Sequence, residues 1–543
     1  MKKYINQMKS LIFIRLLTGT IYVAAIAAIP YIIKMLIDYD FSKGSKGVII
    51  FISMYLLAAG VGMGFQYISQ LHEWKIVRKF YLLIKRDIFD SILGYSYTKF
   101  SKSKLSTYVS ILDNDVPVVK QYLDSGIMIV QSAIQVIVYG IYMFMLDPRI
   151  AIIIILCSSL SLFLPNVTSK TLSQRRANHL GAVSLYIGKV HDLLQGFKNV
   201  NYQTKDNILS EHNRTMTETE DKLLHYGRFS TFTNVFNGSF MYLLDISAFV
   251  TIAVLLLKNT ITIGTATATL AYIKEFVYPV RYIVSDLSTM KSAKSTKDKL
   301  LDFMKDDEKA LPKLSECNHT IEFSKVSVKF ENFKIENFNY SFEKGKKYAI
   351  VGHSGSGKST IANLLMKYIT PTNGKIKVDG VDISEINTSG ILGCVNQFEH
   401  VFSDSFLNNV TVYGAYPGEN LNNITDYYSC NKIDLIREKN DCTELSGGEK
   451  QLLSLVKMML INRDIIILDE PFSSLDFQNS ILMQEKVYGL KDKTMIVITH
   501  NLSEKNLSYF DEVIIMNNGY IEKSGSTTEI MESIEYSKLI KTA

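Results

Sequence analysis

The chain has 543 residues, a formal net charge of +6 and 47% hydrophobic residues, with a positive mean hydropathy. That length allows several domains, and so apolar a composition, with one Trp among many Tyr, Phe and Met, is not that of a soluble enzyme. Five cysteines (157, 317, 394, 430 and 442) show neither metal-ligand nor disulfide spacing, and the modest positive charge gives no nucleic-acid reading.

Apolar runs concentrate before residue 290. Six have about the 20-residue length that spans a hydrocarbon core: Leu11–Ile37, Gly47–Ile68, Ile127–Leu146, Ile150–Leu164, Ser239–Leu257 and Ile263–Val284. The fourth contains several serines and is followed by Pro165. The first is too long for a cleaved signal peptide, and a second run follows closely. Lys2, Lys3 and Lys9 precede it, which places the N-terminus in the cytoplasm. The short connections Asp38–Lys46, Asp147–Arg149 and Lys258–Thr262 then lie outside. Two long, charged connections of helical pattern project into the cytoplasm. One carries Lys75, Arg78, Lys79, Lys85 and Arg86, and the other Lys170, Arg175, Arg176 and Lys189.

Asp245 falls within the fifth run and Lys274 and Glu275 within the sixth, with Arg281 nearer its cytoplasmic end. Ionisable groups in hydrocarbon cost a few kcal/mol, so they face a cavity or a partner. Asp245, Lys274 and Glu275 line a pathway and meet polar ends of a cargo, or they form an interhelical ion pair, or Lys274 snorkels to the interface. Tyr272, Phe276 and Tyr278 offer an amphipathic lining or ordinary packing.

After residue 300 a charged run, Lys305-Asp306-Asp307-Glu308-Lys309, and Pro312 read as a linker. Beyond it, Tyr348–Val351 reads as a buried strand leading into Gly352-His353-Ser354-Gly355-Ser356-Gly357-Lys358-Ser359-Thr360 and then a helix. This is the phosphate-binding pattern G-x-x-x-x-G-K-[ST]. Its glycines let successive N–H groups face phosphates at a helix N-terminus whose dipole favours anions. Lys358 would reach the β- and γ-phosphates, and the Ser359 hydroxyl would serve Mg²⁺. Ser446, Gly447 and Gly448 begin another helix with small residues that allow close approach to phosphate. Ile465–Leu468 then delivers Asp469 and Glu470 to a strand's C-terminal edge, where open α/β sheets place their ligands. Asp469 would hold Mg²⁺, and Glu470 is placed to polarise the water attacking the γ-phosphate.

At these residues the sequence resembles the ATP-binding cassette (ABC) ATPases, over about residues 319–543. The resemblance implies that Phe330 stacks on adenine and that Gln397 senses Mg²⁺ and touches the membrane part. It makes Ser473-Ser474-Leu475-Asp476 the D-loop and His500 a switch histidine at the γ-phosphate. It also implies that two cassettes face head to tail, so that Ser446–Gly448 of one covers ATP held by the other. Two departures stand out. Asn440-Asp441-Cys442-Thr443-Glu444 replaces the usual Gly-Glu-Arg-Gly-like stretch, and Leu452 stands where the family usually has arginine.

Together with six spans, the cassette resembles an ABC exporter half-transporter. The expected architecture is an all-α six-helix transmembrane domain (1–299), a linker (300–318) and an α/β P-loop NTPase domain (319–543). Leu112–Val116 resembles the segment around the first coupling helix, and Gln195–Val200 the stretch leading to the second. With a span so close to its start, the chain is expected to lack the N-terminal cysteine peptidase of some peptide exporters. The resemblance implies an ATP-hydrolysing exporter in the cytoplasmic membrane, using ATP and Mg²⁺. A homodimer is expected, with a heterodimer as the alternative. The expected cargo is a peptide or peptide-like natural product. The alternatives are a lipid or amphipathic drug, or import of metal–chelate complexes.

Overall fold

The computed structural model describes residues 1–161, 164–305, 311–314, 316–330, 333–396, 400–427 and 431–542. Within these, side chains of 156–161, 164–169, 237–238, 240–241, 243–245, 274, 431–432 and 541–542 are outside the description. The chain divides into two compact units, Met1–Leu93 with Lys104–Asp307, and Gly94–Ser103 with Glu308–Ala543.

The first unit is helical. In chain order the helices are α1 (Lys2–Ile37), α2 (Lys46–Leu93), the short α3 (Tyr97–Phe100), α4 (Leu105–Ser110), α5 (Val116–Leu146), α6 (Pro148–Ser161), α7 (Leu164–Gln195), α8 (Lys205–Leu257) and α9 (Ile263–Phe303). Of these, α3 belongs to the second unit. At ~1.5 Å per residue, a helix as long as α2 extends well beyond a ~30 Å hydrocarbon core. Among the described residues, α1, α2 and the run Leu105–Leu146 are long and apolar enough to cross a membrane. The fourth expected span meets residues 162–163, which are not described, and the fifth has several side chains outside the description. The sixth is part of α9, where Lys274, Glu275 and Arg281 lower the hydropathy.

Packing follows helical spacing. Ile76, Phe80, Ile84 and Ile88 recur every fourth residue along α2 and are buried with Tyr4, Met8, Val119 and Leu300. A second core joins Val23 and Ala27 of α1 to Tyr139 and Met143 of α5, Ile150 and Ile154 of α6, Ile252 of α8, and Tyr272 and Phe276 of α9. Gly62 lets α1 and α2 approach closely: a Cβ there would lie 2.7 Å from Ile26 Cδ1.

The second unit is α/β. One sheet is antiparallel, in the order β2-β1-β4-β5, with β1 (Thr320–Lys329), β2 (Lys334–Glu343), β4 (Asn373–Val378) and β5 (Val381–Asp382). The other has the order β10-β9-β3-β8-β7-β6. Its strands are β3 (Lys347–Gly352), β6 (Leu392–Val395), β7 (Ile465–Asp469), β8 (Thr494–Ile498), β9 (Glu512–Asn517) and β10 (Tyr520–Ser526), parallel except for β10. Period-2 alternation splits its side chains between two cores. Tyr348, Ile350, Ile467, Ile496 and Ile514 pack towards the antiparallel sheet and α10 (Lys358–Leu365). Ala349, Val351, Leu468, Val497 and Val513 pack on the opposite side, with α11 (Phe406–Thr411), α12 (Leu421–Tyr427), α13 (Asn431–Arg437), α14 (Gly447–Ile461) and α15 (Phe477–Tyr488).

Leu112–Asp115 is part of a wide π-type turn, Ile111–Asp115, inside the helical run of the first unit. Within the second unit it is α3 that meets the end of the helix after the P-loop, with the Tyr97 and Tyr368 rings 4.3 Å apart.

Candidate functional site

Strands β3, β8 and β7 are neighbours and parallel, so the loops after them leave the sheet at one edge. These loops carry the P-loop, His500 and the acids Asp469 and Glu470. The P-loop turns through left-handed or otherwise glycine-favouring backbone at Gly352 (φ +148°), Gly355 (+79°) and Gly357 (+104°). A Cβ on Gly352 would lie 2.2 Å from the Met516 carbonyl oxygen, so only glycine fits. Lys358 is buried, and its Nζ donates to the carbonyls of Gly352 and His353, each at 2.8 Å. Burial pushes its ammonium pKa down, while the carboxylates of Glu470 and Asp469 oppose that. Ser356 Oγ is buried without a hydrogen-bond partner, an orphan hydroxyl inside the phosphate loop. A phosphate oxygen would satisfy it. Together with an ammonium held at the loop and a helix N-terminus, that makes the residues fit ATP.

Asp469 ends β7 and is hydrogen-bonded to the Ser359 hydroxyl. Burial raises its pKa, and the Ser359 bond partly offsets this. A carboxylate beside a hydroxyl at the start of α10 is a donor set suited to a hard divalent cation. Glu470 has left-handed backbone (φ +50°), uncommon for a non-glycine residue and a local strain. Its N–H donates to the Ile498 carbonyl at 3.0 Å, and its carbonyl accepts from Gln451 Nε2 (3.2 Å) and Ser473 Oγ (3.1 Å). Its Oε1 lies 3.0 Å from His500 Nε2. Two side chains assigned separately in the sequence therefore meet.

Phe330 is partly exposed at the end of β1, and its ring lies 6.3 Å from that of Phe333. Phe333 in turn reaches the P-loop, where its Cζ would be 2.9 Å from a Cβ on Gly357. Ser446 caps α14 in a reciprocal box with Glu449, accepting from Glu449 N–H while Glu449 Oε2 accepts from Ser446 N–H at 2.8 Å. Gly448 is pressed on the D-loop, where a Cβ would come 2.7 Å from the Ser474 carbonyl oxygen. Both departures have structural accounts. Leu452 is fully buried in the helical core, and Asp441 accepts from the Thr443 N–H in a tight Asx turn beside buried Cys442. Gln397 lies outside the described residues, as do the side chains of Asp245 and Lys274. Glu275, in the first unit, is exposed and accepts from the Tyr139 hydroxyl at 3.3 Å.

Sequence reasoning gave no role to Gln451. It is buried on α14 and links Glu470, Ser473 and the Ser474 N–H (2.9 Å). The available signal was a polar residue amid the buried positions of an apolar helix.

Residues 335–473 match the family described as ABC transporter, and residues 12–280 match the ABC transporter transmembrane region. Over nearly its whole length the fold is similar to a bacterial Atm1-family ABC exporter with ATP bound. The TM-score is 0.83 at 17% identity, covering 99% of this chain and 98% of the other. The chain is an ABC exporter half-transporter. Its ATP-binding domain makes it a transporter ATPase, and half-transporters of this type work as dimers. The half-transporter is 24% identical to YgaD of Bacillus subtilis, named as a candidate multidrug export ATP-binding/permease protein, over 98% of this chain and 97% of that one. A Staphylococcus aureus protein of the same designation is 24% identical, covering 97% and 96%. An ATP-dependent lipid A-core flippase of Photorhabdus laumondii is 24% identical, covering 92% and 90%. The half-transporter is a membrane protein that drives export with ATP.

Proposed function

We propose that this transporter exports a lipid or an amphipathic small molecule, as a homodimer with two equivalent ATP sites and with its N-terminus and cassette in the cytoplasm. The observation that carries the ATP chemistry is the meeting of Lys358, Asp469, Glu470 and His500 at one sheet edge, beside the orphan Ser356 hydroxyl. Lys358 exchanges its loop carbonyls for β- and γ-phosphate oxygens. Ser359, Asp469 and Gln397 would hold Mg²⁺, which when bound neutralises charge between those oxygens. Glu470, oriented by His500 and by its own strained backbone, accepts the proton of the attacking water. His500 also contacts the γ-phosphate, and Phe330 stacks on adenine. Ser446, Gly447 and Gly448 of the partner cassette close over the nucleotide.

For the cargo, the multidrug and lipid names among the relatives favour the amphipathic reading over a peptide, for which they give no support. A homodimer is favoured because each motif residue of a working site is present in this chain, and two-fold homo-oligomers are the commonest assembly. The test is purified protein in proteoliposomes with accessible cassettes. ATP-dependent uptake of a fluorescent amphiphile or lipid analogue, from a particle of twice the chain mass, is expected. Uptake of peptides only, or hydrolysis only after adding a different half-transporter, would refute the proposal.

A further inference from the structure

Glu275 lies 12 residues into α9, so a rise of ~1.5 Å per residue puts it about 18 Å from the helix start, near the middle of a ~30 Å hydrocarbon core. It is exposed in the chain, on a stripe that continues through Thr267, Ala271, Tyr278 and Tyr282 at spacings of three or four. An ionised carboxylate does not face lipid at that depth at low cost, so the stripe faces a cavity or a partner. Among the described residues its polar partner is the Tyr139 hydroxyl, at 3.3 Å. Behind Glu275 stand packed tyrosines of two helices, Tyr139 and Tyr142 of α5 and Tyr272 of α9. The Tyr139 and Tyr272 rings are 6.2 Å apart, and Tyr142 stacks on Tyr272 at 5.8 Å. The Tyr272 hydroxyl is committed to the Ala27 carbonyl, which fixes its ring.

An ionised carboxylate only accepts hydrogen bonds, and one phenol leaves most of its capacity unused. Tyr278 and Tyr282, exposed on the same stripe, offer electron-rich faces that attract the same kind of group, a positive one. We infer that Glu275, backed by Tyr139 and flanked on its stripe by exposed Tyr278 and Tyr282, is the anionic anchor of the cargo site and selects amphipathic cations, such as an alkylated ammonium or phosphonium carried on an apolar body. This deepens the export reading above and rests on it. The cargo cation supplies the charge that no described residue gives the membrane-depth carboxylate, while its apolar body occupies the aromatic and aliphatic lining.

The test uses the full-length dimer and two probes of nearly equal size and apolarity but opposite charge, tetraphenylphosphonium and tetraphenylborate. Affinities are measured for wild type, Glu275→Gln and Glu275→Asp. Comparing variants for each probe cancels the intrinsic difference between the two ions. Glu275→Gln is expected to weaken tetraphenylphosphonium binding about tenfold or more, with tetraphenylborate unchanged or tighter, and Glu275→Asp to recover most of the loss. Unchanged phosphonium affinity in Glu275→Gln overturns the inference. So does equal loss of both probes with loss of dimer mass, which would assign Glu275 to the subunit contact. If Glu275→Gln does not fold, a cationic diazirine amphiphile photolysed on wild type decides the matter. Labelling of the peptide bearing Glu275 supports the anchor, and labelling confined to other peptides overturns it. Transport of neutral amphiphiles with no charge preference would defeat this inference alone, whereas no amphiphile transport at all would defeat the export reading.

Discussion

The ATP edge and the membrane unit solve opposite problems with charge. At the sheet edge, Lys358, Asp469, Glu470 and His500 come together on three adjacent parallel strands, with carbonyls, hydroxyls and an amide bracing them. Within the expected spans of the helical unit the described charges are few and lightly braced: Glu275 accepts from one phenol, and Arg15 pairs with Glu73 at 3.0 Å. Phosphoryl transfer needs fixed atoms, so its site is dense and rigid. A site that must take up and release a cargo cannot afford such complete satisfaction. The cassette should therefore fail sharply when single atoms change, and the membrane unit should fail by degrees.

The largest effect is expected at Glu470. Glu470→Gln keeps the left-handed backbone and the size of the side chain but removes the proton acceptor. ATPase turnover should fall about 100-fold or more while ATP binding persists. Wild-type turnover in the purified variant would end the general-base role and with it the contrast. Next comes Gly448→Ala, whose methyl would press on the Ser474 carbonyl oxygen at 2.7 Å. About a tenfold loss of turnover is expected, with nucleotide affinity of the P-loop unchanged. A loss of ATP affinity instead would mean that the Ser446–Gly448 turn supports its own site.

Glu73→Gln probes the membrane unit. Arg15 is buried, and removing its partner leaves a buried charge uncompensated, whereas Glu73 itself is about two-fifths exposed. That exposure scales the cost down to about 1–2 kcal/mol from the larger penalty of a fully buried pair. The thermal transition should drop by a few degrees with ATP binding intact. No shift would show that the pair is solvated.

The smallest effect concerns Asp379, whose carboxylate accepts from the N–H groups of Asn318 (2.6 Å), His319 (2.8 Å) and Thr320 (3.0 Å). Burial works against its ionisation, but the three donors outweigh that and hold its pKa below the ordinary value. A depressed folded pKa contributes stability that is complete above the unfolded value of about 4 and is lost as pH falls through the folded one. Asp379→Asn should therefore cost about 1 kcal/mol at pH 7. Its melting curve should converge with that of wild type on acidification. A constant gap down to pH 3 would contradict the assignment.

The ATP edge was legible in the sequence because its chemistry fixes residue types at consecutive positions. Gly352–Thr360 and Asp469–Glu470 announce both their roles and the strands that present them. What escaped depends on tertiary contact. Phe333 backing Gly357, the orphan Ser356 hydroxyl and the Gln451 amide have no local pattern. A four-residue helix such as α3 has no periodicity to read, and only folding brings Tyr97 to Tyr368. In the membrane unit, hydropathy marked the helices. A charge inside a span, such as Glu275, signals that something meets it without saying what. The Tyr139 hydroxyl that meets it comes from another helix, α5.

The Gln451 amide has a consequence for the dimer as a whole. It lies one turn into α14 and grips both the Glu470 carbonyl and the Ser474 N–H. In a head-to-tail pair, the turn at the head of α14 serves the nucleotide across the interface, while Glu470 serves the one at home. A single side chain thus fastens parts of two reaction centres to each other. In the proposed pair this would act as an interlock: drawing the Ser446–Gly448 turn onto one ATP would also set the acid poised at the other.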